Sequence, residues 1–404
     1  MVFNEWGLTV SELKSTLAED FSLTRGGPLY RLQVLLGQAH EDRARVIHRA
    51  VGAILLTWAP LLILSLLQGA AYGTKVRIPL LRDYAVNVRF LVALPIFILA
   101  ESNIDRGWRT LVGQFLKSGL VQAPELPAFE DVLRRITRLR DSVLPEALML
   151  LAAYVPYFFV SPEALISHTS NWNSFASGST QVVTLAGRWL SIVSFPTFRF
   201  LLYRWAWRMC LWALFLYRVS RINLRVVATH ADHAAGLGFL SAGQRRFSSI
   251  VFAGGAVVSA GVTNAIVYEG ATLAGMRAIL IAYGVLATLL LVAPLLAVTP
   301  LLLKTKRSAI LQYGALVTSH NQDFAAKWIE GSVPHDESIL GNPDASSLID
   351  LGSSLEVVQQ MKPIPVAKST LTSLAVAAAL PMVPMLLVVT PADQLLRAVM
   401  KMLM

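Results

Sequence analysis

AVGAILLTWAPLLILSLLQGAA, residues 50–71, is a long apolar run without a charged side chain. About 20 residues of α-helix cross the roughly 30 Å hydrocarbon layer of a bilayer. Backbone amides in lipid find no water, so a spanning segment of this length is a helix whose hydrogen bonds close internally. The stretch therefore predicts a transmembrane helix and places the chain among membrane proteins.

Further segments share this pattern, and the composition agrees with them. The 404 residues are 55% hydrophobic and 15% charged, with a mean hydropathy of +0.56, whereas soluble domains carry about 25% charged residues. The sequence predicts an all-α integral membrane protein with about seven transmembrane helices, near residues 50–71, 86–103, 144–160, 184–217, 249–267, 279–303 and 371–390.

The distribution of basic residues predicts the orientation of these helices. Lys and Arg total 24 in the four segments on one side of the predicted spans and 6 in the four segments on the other side. Cytoplasmic segments carry such an excess, so the N-terminus is predicted to be cytoplasmic. The excess of basic residues in the predicted cytoplasmic segments thus accounts for the net charge of +10. No basic run has the interleaved aromatic residues of a nucleic-acid binder, so nucleic acid is not an expected partner.

The spans divide the chain into four parts. They are a cytoplasmic N-terminal segment with a short amphipathic helix (1–49), a membrane domain (50–303), a cytoplasmic segment (304–370), and a last span with a short C-terminal amphipathic helix (371–404). In 304–370, Gly and Pro recur at turn-like intervals, which predicts a segment broken by turns.

FEDVLRRITRLRDSV, residues 129–143, is strongly amphipathic. Its apolar residues fall on one arc of a helix and three of its arginines fall opposite. Two interpretations are open: an interfacial helix that faces anionic lipid, or a cytoplasmic helix packed on the protein itself.

Five arginines follow one another through the fourth predicted span and beyond it. Arranged on a helix they lie within an arc of about 140°, and a charge at bilayer centre costs at least about 2.5–3.5 kcal/mol. They are candidate contacts for an anion or a lipid headgroup, and the alternative is structural ion pairing. Glu101 is the candidate counter-charge, with Asp105 and Asp232 as further acids near the predicted cytoplasmic end. The five are Arg204, Arg208, Arg218, Arg221 and Arg225.

His230, Asp232 and His233 form a polar cluster directly after these arginines. Their spacing is poor for a helical zinc site, which prefers His at i and i+4 with a third ligand. The sequence favours a polar turn in which Asp232 caps a helix, and it predicts neither a metal nor a cofactor. Cys210 is the only cysteine; it can form no intrachain disulfide and is expected to serve packing.

Several blocks of the chain resemble those of an uncharacterised family of bacterial polytopic inner-membrane proteins. The family pattern around the polar turn is H-x-D-x-x-(G/A)-G-L-G-F-L, which HADHAAGLGFL matches at His230, Asp232, Gly236 and Gly238. Ala231 replaces the family's proline, and Ala235 replaces one glycine, so the tight turn is less enforced here. The resemblance implies a multi-pass protein of the bacterial inner membrane and supplies no reaction. The blocks are WAPLLILSLLQG (58–69), RFLVALPIFILAE (89–101), FLLYRWAWR (200–208), THADHAAGLGFL (229–240), GNPDASSLIDL (341–351) and MKPIPVAKSTL (361–371).

The residues do not identify an activity, and three hypotheses stay open. The first is a transporter, channel or lipid-handling protein whose arginines meet an anionic group, with anionic phospholipid as the expected partner. The second is a non-catalytic scaffold or assembly factor, with a second copy or another protein as partner. The third is a membrane-embedded metal-dependent enzyme around His230 and Asp232.

Overall fold

The computed structural model describes residues 19–35, 43–159, 171–177, 180–331, 339 and 342–389. It is mostly helical (79%), which fits an all-α membrane protein. The predicted C-terminal amphipathic helix falls outside the described residues. Within the described part, five helices are long and apolar enough to cross a membrane: Ala44–Leu67, Tyr84–Lys117, Phe239–Glu269, Leu273–Ile329 and Lys368–Val388.

The helices are numbered here in chain order. They are α1 Gly27–Leu35, α2 Arg43–Thr57, α3 Ala59–Leu67, α4 Tyr84–Asn87, α5 Leu94–Lys117, α6 Leu126–Asp141, α7 Val143–Phe159, α8 Leu185–Trp189, α9 Phe195–Val219, α10 Phe239–Gln244, α11 Ser248–Glu269, α12 Leu273–Val292, α13 Thr299–Phe324, α14 Pro343–Gln359, α15 Lys368–Ala379 and α16 Met382–Val389. In the predicted external loop, β1 (Ser174–Ser177) and β2 (Thr180–Val183) pair antiparallel.

Two of the predicted spans are helical but differ from the five long apolar helices. The apolar part of α7, Val143–Pro156, is shorter than those helices. Helix α8, a π-helical turn at Leu190–Ser194 and α9 follow one another without a break, and this stretch carries several arginines. Its charge sets it apart from an ordinary lipid-facing span.

Prolines explain the irregular turns in two of these helices. The π-helical turns Val88–Ala93 and Leu190–Ser194 lie just before Pro95 and Pro196. Proline has no N–H to give to the carbonyl four residues earlier. For Pro196 that carbonyl belongs to Ile192, and it accepts a hydrogen bond of 3.1 Å from the Tyr154 hydroxyl. A neighbouring helix thus supplies the missing donor, as membrane helices with proline require.

Helix α6 packs on the protein itself. Its apolar face is buried, including Phe129, Val132 and Ile136, while Arg134 and Arg135 are exposed. The interpretation of this helix as interfacial is therefore wrong. Amphipathic periodicity shows that one face is apolar without showing whether lipid or protein covers it.

An aromatic core joins α5 and α9. Trp108 lies 6.1 Å from Trp212 between ring centroids, and Phe115 lies 6.1 Å from Phe215 in an edge-to-face arrangement. Such pairs contribute beyond the burial of their area. The core fixes the two helices side by side, and this alignment positions the charged residues described below.

The segment 304–370 is an arm of two helices, and the predicted turns fall between them: Gly331 (φ +84°) follows the helix that ends at Ile329, and Pro343 begins α14. Gly352, in contrast, lies inside α14. Helix α13 continues the long helix that begins at Leu273, and α14 packs against it. Lys327 pairs with Asp344 at 2.8 Å, and Ser347 hydrogen-bonds His320 at 3.0 Å. Pro343 occupies the first turn of α14, where proline is tolerated, so it starts a helix here.

Candidate functional site

Buried charges from four helices meet at one depth. Glu101 lies about 26 Å of helix from Tyr84, and Arg204 lies about 29 Å from Leu185, at 1.5 Å per residue. These lengths are close to the roughly 30 Å hydrocarbon layer. The charges therefore lie toward the predicted cytoplasmic ends of these helices.

Glu101 is the centre of this group. Its Oε1 lies 2.8 Å from Nη2 of Arg208 and 3.8 Å from Nη1 of Arg204. All three side chains are at least nine-tenths buried, and the Arg208 guanidinium also lies 4.9 Å from the ring centre of Trp205. The expected counter-charge is thus within ion-pair distance of both arginines.

Two residues that the sequence analysis did not assign complete the group. Arg49 on α2 lies 3.4 Å from Glu101 Oε2, and Glu146 on α7 lies 3.5 Å from Arg204 Nε. We call Arg49, Glu101, Glu146, Arg204 and Arg208 the charge cluster. Its arginines have carboxylates of the protein as partners, so pairing within the protein accounts for their burial without a bound anion.

The other three arginines do not continue this cluster. Helix α9 ends at Val219, so the expectation of one helical arginine face is wrong beyond that residue. Arg221 lies 5.1 Å from the ring centre of Tyr217 and donates to its hydroxyl at 3.1 Å. The backbone N–H of Arg225 donates to the Leu120 carbonyl at 2.9 Å, which folds the chain back toward the end of α5. Arg218 is partly buried.

Asp232 organises the polar turn with its own carboxylate. Oδ1 accepts hydrogen bonds from the backbone N–H of Ala234 (2.8 Å) and Gly236 (3.1 Å), and Oδ2 accepts one from Gly238 (2.7 Å). His230 Nδ1 lies 3.0 Å from Oδ1. Burial opposes ionisation, but these donors outweigh it and lower the pKa of Asp232. Asp232 therefore serves this turn, and of the acids expected near the arginines it is Glu101 that pairs with Arg204 and Arg208.

The backbone of this turn is left-handed at two residues other than glycine, His233 (φ +52°) and Ala235 (φ +54°). Glycine adopts this conformation without steric cost, whereas a residue with a Cβ does not. Among the residues that the structure describes, no group of three or more His, Cys, Asp or Glu side chains converges as metal ligands would.

Asp232→Ala is expected to lower the free energy of unfolding by about 2–3 kcal/mol, because it leaves three backbone donors without their charged acceptor. The wild-type contribution is present above about pH 4, the unfolded pKa of Asp, and is lost as the pH falls through the lower folded pKa. Thermal unfolding of the purified protein at pH 7 and across the acid range measures both effects. His230→Ala is the control, and an equal loss in both variants would contradict the role of the carboxylate.

A second set of acids holds the N-terminal segment over the charge cluster. Asp105, fully buried, accepts hydrogen bonds from the Ser22 hydroxyl (2.7 Å) and from the backbone N–H of Leu23 (3.1 Å), and lies 3.2 Å from Arg109 Nη2. Glu146 Oε2 accepts one from the Leu29 backbone N–H in the first turn of α1 (2.8 Å). We call residues 21–29 the N-terminal strap. Glu146 thus joins the strap to the charge cluster.

An apolar groove opens on the opposite face of α9. It has a volume of about 680 Å³ and lies between α9, α11 and α12. Cys210 lines it and is exposed, so the expectation that this thiol serves packing is wrong. We call it the lateral groove; its walls include Phe97, Leu202, Cys210, Val251, Leu286 and Pro294.

The signal for the groove was present in the sequence only in part. Leu202, Ala206 and Cys210 recur at helical spacing on α9, which places them on one face. No local sequence pattern indicates that α11 and α12 leave this face of α9 uncovered.

Comparison of the chain with protein-family models, with curated proteins and with solved structures found no match. The resemblance to the bacterial family stays a prediction.

Proposed function

We propose that the chain is a multi-pass, lipid-handling membrane protein that holds one acyl chain of a cytoplasmic-leaflet phospholipid in the lateral groove. The observation that carries this proposal is the apolar lining and lateral position of the groove. Its wall on α9 runs from Leu202 to Ala213, or about 17 Å of helix. That length is close to half of the roughly 30 Å hydrocarbon layer.

The chemistry of the groove favours a hydrocarbon chain over a polar ligand. Its volume of about 680 Å³ falls in the usual range of about 300–1,000 Å³ for small-molecule sites. Tyr283 contributes a hydroxyl, but this group already donates to the Val251 carbonyl. A ligand with many polar groups would lose its hydration there without finding partners.

Arg221 is the proposed headgroup contact at the cytoplasmic end of the groove. Tyr217 follows Ala213 by one helical turn, so it continues the groove face of α9, and Arg221 lies on its ring. Arg221 is exposed, and no acidic side chain in the described part of the chain pairs with it. A guanidinium in this position can bind a lipid phosphate through two hydrogen bonds.

The proposal includes seven spans in a bacterial inner membrane, with α7 and the α8–α9 stretch added to the five long apolar helices. Reporter fusions at Ser177 and Ser347 are expected to report opposite compartments, because the excess of basic residues favours a cytoplasmic 304–370. Fusions that report the same compartment would contradict this topology.

Cys210 gives a direct test because it is the only thiol. We expect a bimane label on Cys210, in nanodiscs, to be quenched by phospholipids that carry bromine on the acyl chain. Ala206→Trp, which fills the groove beside the label, should reduce the quenching several-fold, since an indole replaces the acyl chain.

The control separates the groove from ordinary contact with the bilayer. Cys210→Ser combined with Leu151→Cys places the label on the exposed face of α7. Quenching there should not change with Ala206→Trp. If Ala206→Trp leaves quenching at Cys210 unchanged as well, the groove holds no acyl chain and the proposal fails.

The scaffold hypothesis is a second candidate, and the helical arm favours it. From Thr299 to Ile329 the helix runs for about 45 Å, which carries it well beyond the bilayer, and Leu311 and Ile349 on the arm are exposed. Co-purification of a stoichiometric protein partner that depends on residues of α13 and α14 would favour this candidate. The enzyme hypothesis has less support, because backbone N–H groups already occupy the oxygens of Asp232.

A further inference from the structure

Two arginines outside the charge cluster share one aromatic ring. The guanidinium carbon of Arg89 lies 5.0 Å from the ring centre of Phe195 and 5.7 Å from that of Phe198. The guanidinium carbon of Arg199 lies 5.3 Å from the same Phe195 ring centre. The two cations therefore lie within about 10 Å of each other, where like charges repel in a medium of low dielectric.

This pair lies within the predicted spans 86–103 and 184–217. Phe195 is about ten residues from Leu185, or about 15 Å along the helix. Arg89 belongs to the π-helical turn Val88–Ala93, and a second such turn ends just before Phe195.

Acids of the described residues compensate the charge of this pair only in part. No Asp or Glu among them is paired with Arg89 or Arg199. Asp83 attracts Arg89 electrostatically, while its oxygens accept hydrogen bonds from the Asn264 amide and the Trp172 indole. No acid of the described residues acts on Arg199 in this way. Arg199 donates only to the Ala153 carbonyl, at 3.3 Å.

We propose that Arg89 and Arg199 form a binding site for an oxyanion, either a free phosphate or the phosphate group of a lipid. Charged residues within spans face a partner or a pathway, and the partly exposed side chains leave room for one to approach. A guanidinium offers parallel N–H donors that match the oxygens of phosphate. The cation–π contacts hold both groups in place without using those donors. This site does not depend on the lateral groove.

The first experiment titrates the purified protein in maltoside micelles with inorganic phosphate at constant ionic strength, and follows thermal unfolding. Wild type and the control Arg134→Gln, on the exposed face of α6, are expected to show a saturable stabilisation. Arg89→Gln and Arg199→Gln should weaken apparent binding by about tenfold or more, since each removes a charge-assisted contact.

A second measurement identifies a lipid source. If free phosphate has no effect, phospholipid phosphorus that co-purifies with wild type and falls in both Gln variants supports the site with a lipid phosphate as ligand. If neither phosphate response nor bound phosphorus differs between wild type and the Gln variants, the proposal is overturned.

Wild type alone provides a further test should the Gln variants not fold. Phenylglyoxal modifies arginine, and mass spectrometry locates the modified residues. Phosphate, or lipid where that is the source, should slow modification of Arg89 and Arg199 several-fold and leave Arg134 unchanged. Equal modification of Arg89 and Arg199 with and without either ligand overturns the proposal.

Discussion

Glu101→Gln is expected to lower the free energy of unfolding by about 3–5 kcal/mol, the largest effect of any single substitution proposed here. The change leaves Arg208 without its carboxylate at 2.8 Å and removes one partner each from Arg204 and Arg49. Buried cations without counter-charges carry the full desolvation cost. Yield of monodisperse protein and thermal unfolding in micelles measure the loss.

Asp131→Asn is the matched control, because Asp131 pairs with Arg135 at 2.6 Å on the exposed face of α6. Surface pairs contribute about 0–1 kcal/mol, so this variant should be near wild type. Glu101→Gln combined with Arg208→Gln should cost less than the sum of the single changes. Strict additivity would show that the two residues do not interact energetically.

Asp105→Ala is expected to release the N-terminal strap. The substitution removes the acceptor of the Ser22 hydroxyl and of the Leu23 backbone N–H, and the partner of Arg109. Each hydrogen bond to a charged group contributes about 1.5–3 kcal/mol. Because cleavage tracks the population of the open form, trypsin should cut after Arg25 about 10- to 100-fold faster than in wild type.

The experiment compares initial cleavage rates by mass spectrometry at low trypsin concentration. Asp350→Asn, on the exposed side of α14, is the control. Trypsin should cut this variant after Arg25 at the wild-type rate. An unchanged rate in Asp105→Ala would mean that other contacts, such as Leu29 with Glu146, hold the strap alone.

The long apolar helices could be predicted from the sequence because the bilayer imposes one length on every span. Glu101 could be placed near the arginines by the same reasoning, since depth along a span follows from residue count. The role of Arg49 in the charge cluster could not be predicted, because this residue precedes the first apolar run and its position is typical of the soluble N-terminal segment. Glu146 was visible as a polar residue near the start of a span, but its partner on α9 depends on which helices are neighbours.

The contacts of the N-terminal strap and of the two arginines at Phe195 could not be predicted from the sequence. Ser22 and Asp105 are 83 residues apart, and no local periodicity links them. Arg89 and Arg199 come together only because α5 and α9 lie side by side, which the aromatic core between Trp108 and Trp212 enforces. The composition of α6 was correctly seen as amphipathic, yet the partner of its apolar face is a property of the whole fold.

The wall of the lateral groove and the cytoplasmic arm belong to one continuous helix, Leu273–Ile329. Its 3-10 segment Ala293–Val298 keeps Pro294, Leu295 and Val298 buried in the protein core, and about 45 Å of helix extends from Thr299 to Ile329. Over that length, a change of about 5° in the direction of the helix axis at the 3-10 segment would move the tip, where Lys327 meets Asp344, by about 4 Å. A change of packing at Leu286 or Leu290 that altered this axis would therefore be amplified at the far end of the arm.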